Sequence, residues 1–274
     1  MIRLVFFIFI SHFLSSPAVS CWNNLKYNSS TPAKFILAMG ANTGDLKNTN
    51  HDAENFLNVI QQRFKIPNSN VCLIKNVTSW EFESSLKGLA KIVDSKDQVF
   101  IYFSGHGTQY PDSTNDEQNC VDEALIPFDF TGKRYQAISD DLFVYWVNQI
   151  NTNNIISVID TCFSGGMFRG DKMCQNAKSK FWLMDYINSL LPKKTCEVKP
   201  LKNRIKGVLY AAAKESQTAW EIAQGGFFTV YFLKNIKAYP NKTLEGIFEI
   251  TANEIKLESS NCDIQQEPQR WYSE

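Results

Sequence analysis

The sequence predicts an α/β fold, a three-layer sandwich in which a mainly parallel sheet is covered by helices on both faces. Three observations predict it. Short, continuously apolar runs recur along the chain, as expected of strands buried on both sides. Between them lie segments with apolar residues three and four apart, the spacing of amphipathic helices. The two patterns alternate, which is the pattern of parallel strands joined by helical crossovers.

The first strand is expected at Phe35 to Met39 and ends at Gly40. Asp52 to Phe64 follows with Phe56, Leu57, Ile60 and Phe64 at helical spacing. Val71 to Ile74 reads as a second strand. Trp80 to Val93 reads as a second helix, with Trp80, Leu86, Leu89, Ile92 and Val93 on its apolar side. Val99 to Phe103 is a third strand, Asp140 to Ile150 a third helix, and Ile155 to Ile159 a fourth strand. Val208 to Ala212 makes a fifth strand, and Phe227 to Ile236 and Leu244 to Ile255 close the chain as helices, with the aromatic residues Phe227, Phe228, Tyr231 and Phe232 as packing. The stretch from 164 to 204, rich in lysine and asparagine, has neither pattern, and connections of that length are commonly functional. No internal repeat interrupts the scheme.

With 274 residues and 44% hydrophobic content, the chain can bury one large core. Residues 1–20 read as a secretory signal peptide: Arg3, an apolar run from Leu4 to Ile10 extended by Phe13 and Leu14, then small residues up to Ser20. The apolar run is short against the roughly 20 residues that span a bilayer, so no stable membrane span is expected after its removal. Residues 21–33 read as a flexible lead-in, and 34–274 as one domain. Within it, 34–163 forms a larger part, 164–204 a linker and 205–274 a smaller part. Removal of residues 1–20 takes away only Arg3, leaving a nearly neutral protein without a basic stripe. Nucleic acid is therefore not an expected partner, and a monomer is expected. Seven cysteines in an exported chain leave at least one thiol outside any disulfide. Cys174 and Cys196 are the leading candidate pair for a bridge. No spacing suits zinc.

Two segments carry the chemistry: Tyr102 to Gly107, containing Ser104-Gly105-His106-Gly107, and Ile159 to Gly166, containing Asp160-Thr161-Cys162. Each starts at the carboxyl end of an expected buried strand, where open α/β sheets bind ligands. A thiol needs a neighbouring imidazole to become a thiolate near neutral pH and to protonate a leaving amine. His51 and His106 are the two histidines left after residue 20, and His51 belongs on an exposed first helical turn. Cys162 and His106 are thus the candidate catalytic pair. The backbone N–H groups of Gly107 and Cys162 are candidate donors to a developing oxyanion. This chemistry requires no cofactor.

With these residues quoted, the chain resembles the caspase and metacaspase family of cysteine peptidases. Ser104-Gly105-His106-Gly107 and Asp160-Thr161-Cys162-Phe163-Ser164-Gly165-Gly166 are similar to its histidine and cysteine motifs. Leu46 to Asn55, Asp122 to Asp129, Ser139 to Leu142, Gln217 to Glu221, Gly226 to Thr229 and Gln266 to Gln269 extend the resemblance over about residues 34–269. Two departures are Phe163, where many members have histidine, and Thr49, where many have cysteine. The resemblance implies a caspase-like sandwich and endopeptidase activity through a thioester. It places Asp52 and Asp160 on the floor of the pocket for the residue before the scissile bond, with the Ser104 hydroxyl beside them, and so implies substrates with arginine or lysine there. Some members bind and are activated by calcium, which makes Asp122, Asp140 and Asp141 candidate ligands. Segment 164–204 would be the processing junction between large and small subunits. Gly165-Gly166-Met167-Phe168 is similar to legumain-like peptidases, so asparaginyl cleavage or transpeptidation is the alternative. An inactive caspase-fold binding module is a third reading.

Overall fold

The computed structural model describes residues 21–22, 31–111, 121–162, 177–183, 205–261 and 264–273. Its centre is a six-stranded sheet built from β1 (Lys34–Gly40), β2 (Val71–Lys75), β3 (Gln98–Ser104), β7 (Ile155–Asp160), β9 (Val208–Ala211) and β12 (Gln269–Tyr272). The spatial order is β12-β9-β7-β3-β1-β2. The first five of these in chain order pair in parallel, and β12 adds an antiparallel edge.

Side-chain alternation explains the apolar runs. In β1, Phe35, Leu37 and Met39 face one core while Ile36 and Ala38 face the other. In β3 the same division separates Val99, Ile101 and Phe103 from Phe100 and Tyr102. Because both faces are covered, every position must be apolar. Each such side chain withdrawn from water contributes roughly 1.5–3 kcal/mol before the entropy of ordering is subtracted.

One face is covered by α1 (Thr49–Phe64), α4 (Phe227–Ala238) and α5 (Leu244–Asn261), through Phe56, Ile60, Phe228, Phe232 and Phe248. The other is covered by α2 (Ser79–Ile92) and α3 (Asp140–Asn148), through Phe82, Leu86, Leu89, Phe143 and Trp146. A capping box fixes the start of α2, with Thr78 and Glu81 each bonding the other's backbone. Expected and observed elements differ by a few residues at their ends, most at α5, which runs to Asn261 rather than Ile255, while α1 begins at Thr49 rather than Asp52.

Two small sheets add to the expected scheme. One joins β4 (Gly107–Pro111), β5 (Val121–Leu125) and β6 (Ile138–Ser139), and the other joins β8 (Lys178–Ser179), β10 (Trp220–Ile222) and β11 (Gly225–Gly226).

The lead-in expectation is corrected at its first two residues. Cys21 is in a disulfide with Cys72, and Trp22 is buried, its Nε1 donating to the Ser85 carbonyl at 3.1 Å. The expected signal peptide, the candidate pair Cys174 and Cys196, and the Gly165-to-Phe168 segment lie outside the described residues. Among the described residues no helix is long and apolar enough to cross a membrane.

Candidate active site

The sheet register delivers both reactive side chains to one place. Gly40 is the register partner of Ser104, and Ser104 of Asp160, so the carboxyl ends of β1, β3 and β7 form one row. His106 stands two residues beyond Ser104, and Cys162 two beyond Asp160. Both are buried, and Cys162 is in no disulfide. Gly107 packs so closely on the Cys162 backbone that a Cβ there would lie 2.2 Å from the Cys162 carbonyl oxygen.

Below this pair is an acidic pocket assembled from four elements. Asp160 ends β7 and Ser104 ends β3. Asp52 comes from the first turn of α1, which can lie over the end of β1 because Gly40 has no side chain; a Cβ there would sit 2.4 Å from the Thr49 carbonyl. The N-terminus of α4 closes the pocket. The Gly226 N–H donates to both Asp52 oxygens at 3.1 and 2.9 Å, and the Thr229 N–H and hydroxyl donate to Asp160 Oδ2. The positive end of the helix dipole therefore faces two carboxylates that are both fully buried. Even so, burial raises the Asp52 carboxyl to about 7; the nearby Lys180 charge opposes the rise and Asp160 adds to it.

The pocket is filled by the chain itself. Lys180 is completely buried, with Nζ 2.9 Å from Asp160 Oδ1 and 3.7 Å from Asp52 Oδ2. The same ammonium donates to Ser104 Oγ at 2.9 Å and to the Asp160 carbonyl at 3.1 Å, while Ser104 donates onward to Asp52 at 3.0 Å. Burial pulls the lysine pKa down, but the charges of Asp160 and Asp52 outweigh it and the net shift is upward. On one side of Lys180, β8 pairs antiparallel with β10, and the Lys180 N–H donates to the Ala219 carbonyl at 2.9 Å. On the other side the backbone crosses Gly107, whose N–H donates to the Lys180 carbonyl at 2.8 Å and whose carbonyl accepts from Trp182 N–H at 2.7 Å. Residues 178–182 thus lie in the cleft as an added strand, with one side chain in the pocket and the next peptide bond beside Gly107.

A caspase-domain family model matches residues 30–273. The chain belongs to this caspase-domain family, peptidase C14, a family of cysteine peptidases. Among similar curated proteins, Metacaspase-1A of Aspergillus oryzae is 26% identical over 153 residues, covering 51% of this chain and 36% of that protein. Metacaspase-1 of Kluyveromyces lactis is 24% identical over 153 residues, covering 51% and 35%. The matched segment is therefore little more than a third of those relatives. Among solved structures, a Geobacter sulfurreducens protein superposes with TM-score 0.63 at 20% identity, covering 88% of this chain and 93% of that one. Caspase-1 of Spodoptera frugiperda superposes with TM-score 0.57 at 12% identity, covering 90% and 94%. Both have the same caspase-like fold.

Within this caspase domain the expected site residues divide into two groups. Cys162, His106, Gly107, Asp52, Asp160 and Ser104 converge around Lys180. Burial holds the His106 imidazole below its ordinary pKa, a tendency opposed by the Asp45 carboxylate 3.4 Å from Nε2. Asp122, Asp140 and Asp141 do not join them. Asp122 is paired with Arg134 at 3.1 Å, and Asp140 and Asp141 sit in the first turn of α3 behind its Ser139 cap. Among the described residues no group of three or more His, Cys, Asp or Glu is arranged to hold a metal. His51 is exposed, as expected. The pocket residue that the sequence did not single out is Lys180, one lysine among those of the 164–204 stretch. A lysine followed directly by the apolar run Phe181, Trp182 and Leu183 was the available signal.

Proposed function

We propose that this caspase domain is a metacaspase-type endopeptidase that cleaves after lysine or arginine. One observation carries the reading: a lysine side chain satisfies the buried Asp52 and Asp160 pair while its own carbonyl accepts the Gly107 N–H. That is the arrangement required of the residue before a scissile bond. A buried carboxylate pair wants a cation, and the fork of a guanidinium can bond both carboxylates. An asparagine amide would leave that charge uncompensated, and an aspartate would add to it.

The chemistry follows from the positions. His106, whose pKa burial lowers, takes the Cys162 proton, and the thiolate attacks the carbonyl carbon. The oxygen gains negative charge against the Gly107 N–H. His106 then gives its proton to the leaving amine as the C–N bond breaks, leaving a thioester. Water, deprotonated by His106, cleaves the thioester and returns the thiol. No step needs a metal. The Cys21–Cys72 disulfide supports export to an oxidising compartment.

The test is labelling by a thiol-reactive peptide electrophile ending in lysine. Labelling that Cys162→Ala abolishes, with hydrolysis of lysyl peptides exceeding that of asparaginyl ones, supports the reading. Preference for asparagine moves the protein to the legumain-like reading. Absence of both labelling and hydrolysis leaves a binding module.

A further inference from the structure

The added strand does not end at the lysine. Beyond the candidate scissile bond, Trp182 is anchored as well. Its N–H donates to the Gly107 carbonyl at 2.7 Å, and its carbonyl accepts the Thr108 hydroxyl at 2.9 Å. The indole fits a three-sided recess. The His106 ring meets it edge-on at 5.3 Å and the Phe130 ring at 5.9 Å, with interplanar angles of 80° and 84°. Gly44, at φ +60, forms the third wall, where a Cβ would lie 2.7 Å from the indole. The floor is a separate apolar cluster of Tyr110, Ala124, Ile126, Phe130 and Ala137, against which Trp182 packs. None of these floor residues belongs to the lysine pocket. Edge-to-face contacts of this kind favour a flat aromatic ring over an aliphatic chain of equal area.

We infer that this recess is a substrate subsite that selects an aromatic residue, tryptophan above all, two positions after the scissile bond. The inference rests on the reading of residues 178–182 as lying where substrate lies. It extends the substrate class from a basic residue to a spaced pair: a basic residue, one intervening residue, then an aromatic one. Backbone bonds to Gly107 and Thr108 fix the register, because a one-residue slip would turn the indole away from the recess. The subsite also touches the catalytic side. An aromatic ring against His106 excludes water from the imidazole that must protonate the leaving amine.

The experiment uses the full chain, allowed to process itself, with internally quenched peptides that carry lysine followed by alanine and then tryptophan, phenylalanine, alanine or aspartate. A lysyl coumarin amide, which has nothing at the second position, serves as reference, and mass spectrometry maps the bond cut in each peptide. With position counted from that bond, tryptophan should exceed alanine in kcat/KM by about ten-fold or more, as expected for partial burial of an indole. Phe130→Leu should reduce the tryptophan-to-alanine ratio. Equal rates for tryptophan and alanine peptides, with the coumarin amide cleaved, would overturn the subsite and leave the peptidase reading standing. Cleavage of no substrate would overturn the peptidase reading and the subsite with it.

Discussion

At the scale of single residues, Cys162 and His106 are the pair whose removal should cost most. In the proposed mechanism they act as one unit, so Cys162→Ala and His106→Ala should each abolish peptide hydrolysis, and the double variant should lose little beyond either. Circular dichroism should show the parent fold in both. Substantial activity in a folded single variant would remove the residue from the mechanism. Asp52 gives a second, quieter signal. Its carboxyl lies near 3.8 when unperturbed and about 7 in the fold, chiefly through burial. Over that window the folded chain keeps a proton that the unfolded chain has lost. The group's contribution to stability is therefore full below about pH 4 and lost as the pH rises through 7. In the uncleavable Cys162→Ala background, Asp52→Asn should flatten the fall in urea stability between pH 5 and pH 7. An unchanged slope would mean that another group carries it.

At the scale of elements, the pocket depends on the close approach of the α4 N-terminus. Gly226 has φ −59, open to any residue, so alanine there does not strain the backbone. Its Cβ would nevertheless lie 2.1 Å from Asp160 Oδ2 and 2.5 Å from Lys180 Nζ. Gly226→Ala should therefore fold, keep the Cys162 thiol reactive to a small uncharged alkylating reagent, and lose about a hundred-fold or more in kcat/KM for lysyl peptides. Retained lysyl activity would show that the cation does not enter by this route. The same elements mark what the sequence made legible. β1, β3 and β7 could be read because burial on both faces leaves no polar position, and the helices because their apolar stripes face one core. β8, β10 and β11 could not be, since two or three residues carry no period. β4 and β5 escaped because their residues pair across a gap in sequence rather than repeat a pattern. The histidine and cysteine motifs were legible because each followed a readable strand. The role of Lys180 was not, because its burial depends on carboxylates 20 and 128 residues away along the chain, at Asp160 and Asp52.

At the scale of the whole molecule, the chain occupies its own cleft. A lysine fills the pocket with its carbonyl on the Gly107 N–H, which in the proposed mechanism offers the Lys180–Phe181 bond to Cys162 and His106. A substrate with lysine before its scissile bond must compete with a segment tethered in place, whose effective concentration far exceeds that of a free peptide. The uncut protein should therefore turn over added peptides poorly until its own bond is broken and the segment can leave. N-terminal sequencing of an active preparation should find a new end at Phe181. The Cys162→Ala chain should show none when incubated alone, and Lys180→Ala should abolish the Phe181 end even if other basic residues in 164–204 are cut. Removal of the lysine also strands two buried carboxylates, so Lys180→Ala should lower the melting temperature of the Cys162→Ala protein, by more at pH 8 than at pH 5, where Asp52 can take up a proton. Lys180→Arg should retain both cleavage and stability better than alanine. Full peptidase activity in a chain whose Lys180–Phe181 bond is intact would refute this latency, because the pocket proposed to take lysine from substrate is the one this lysine fills.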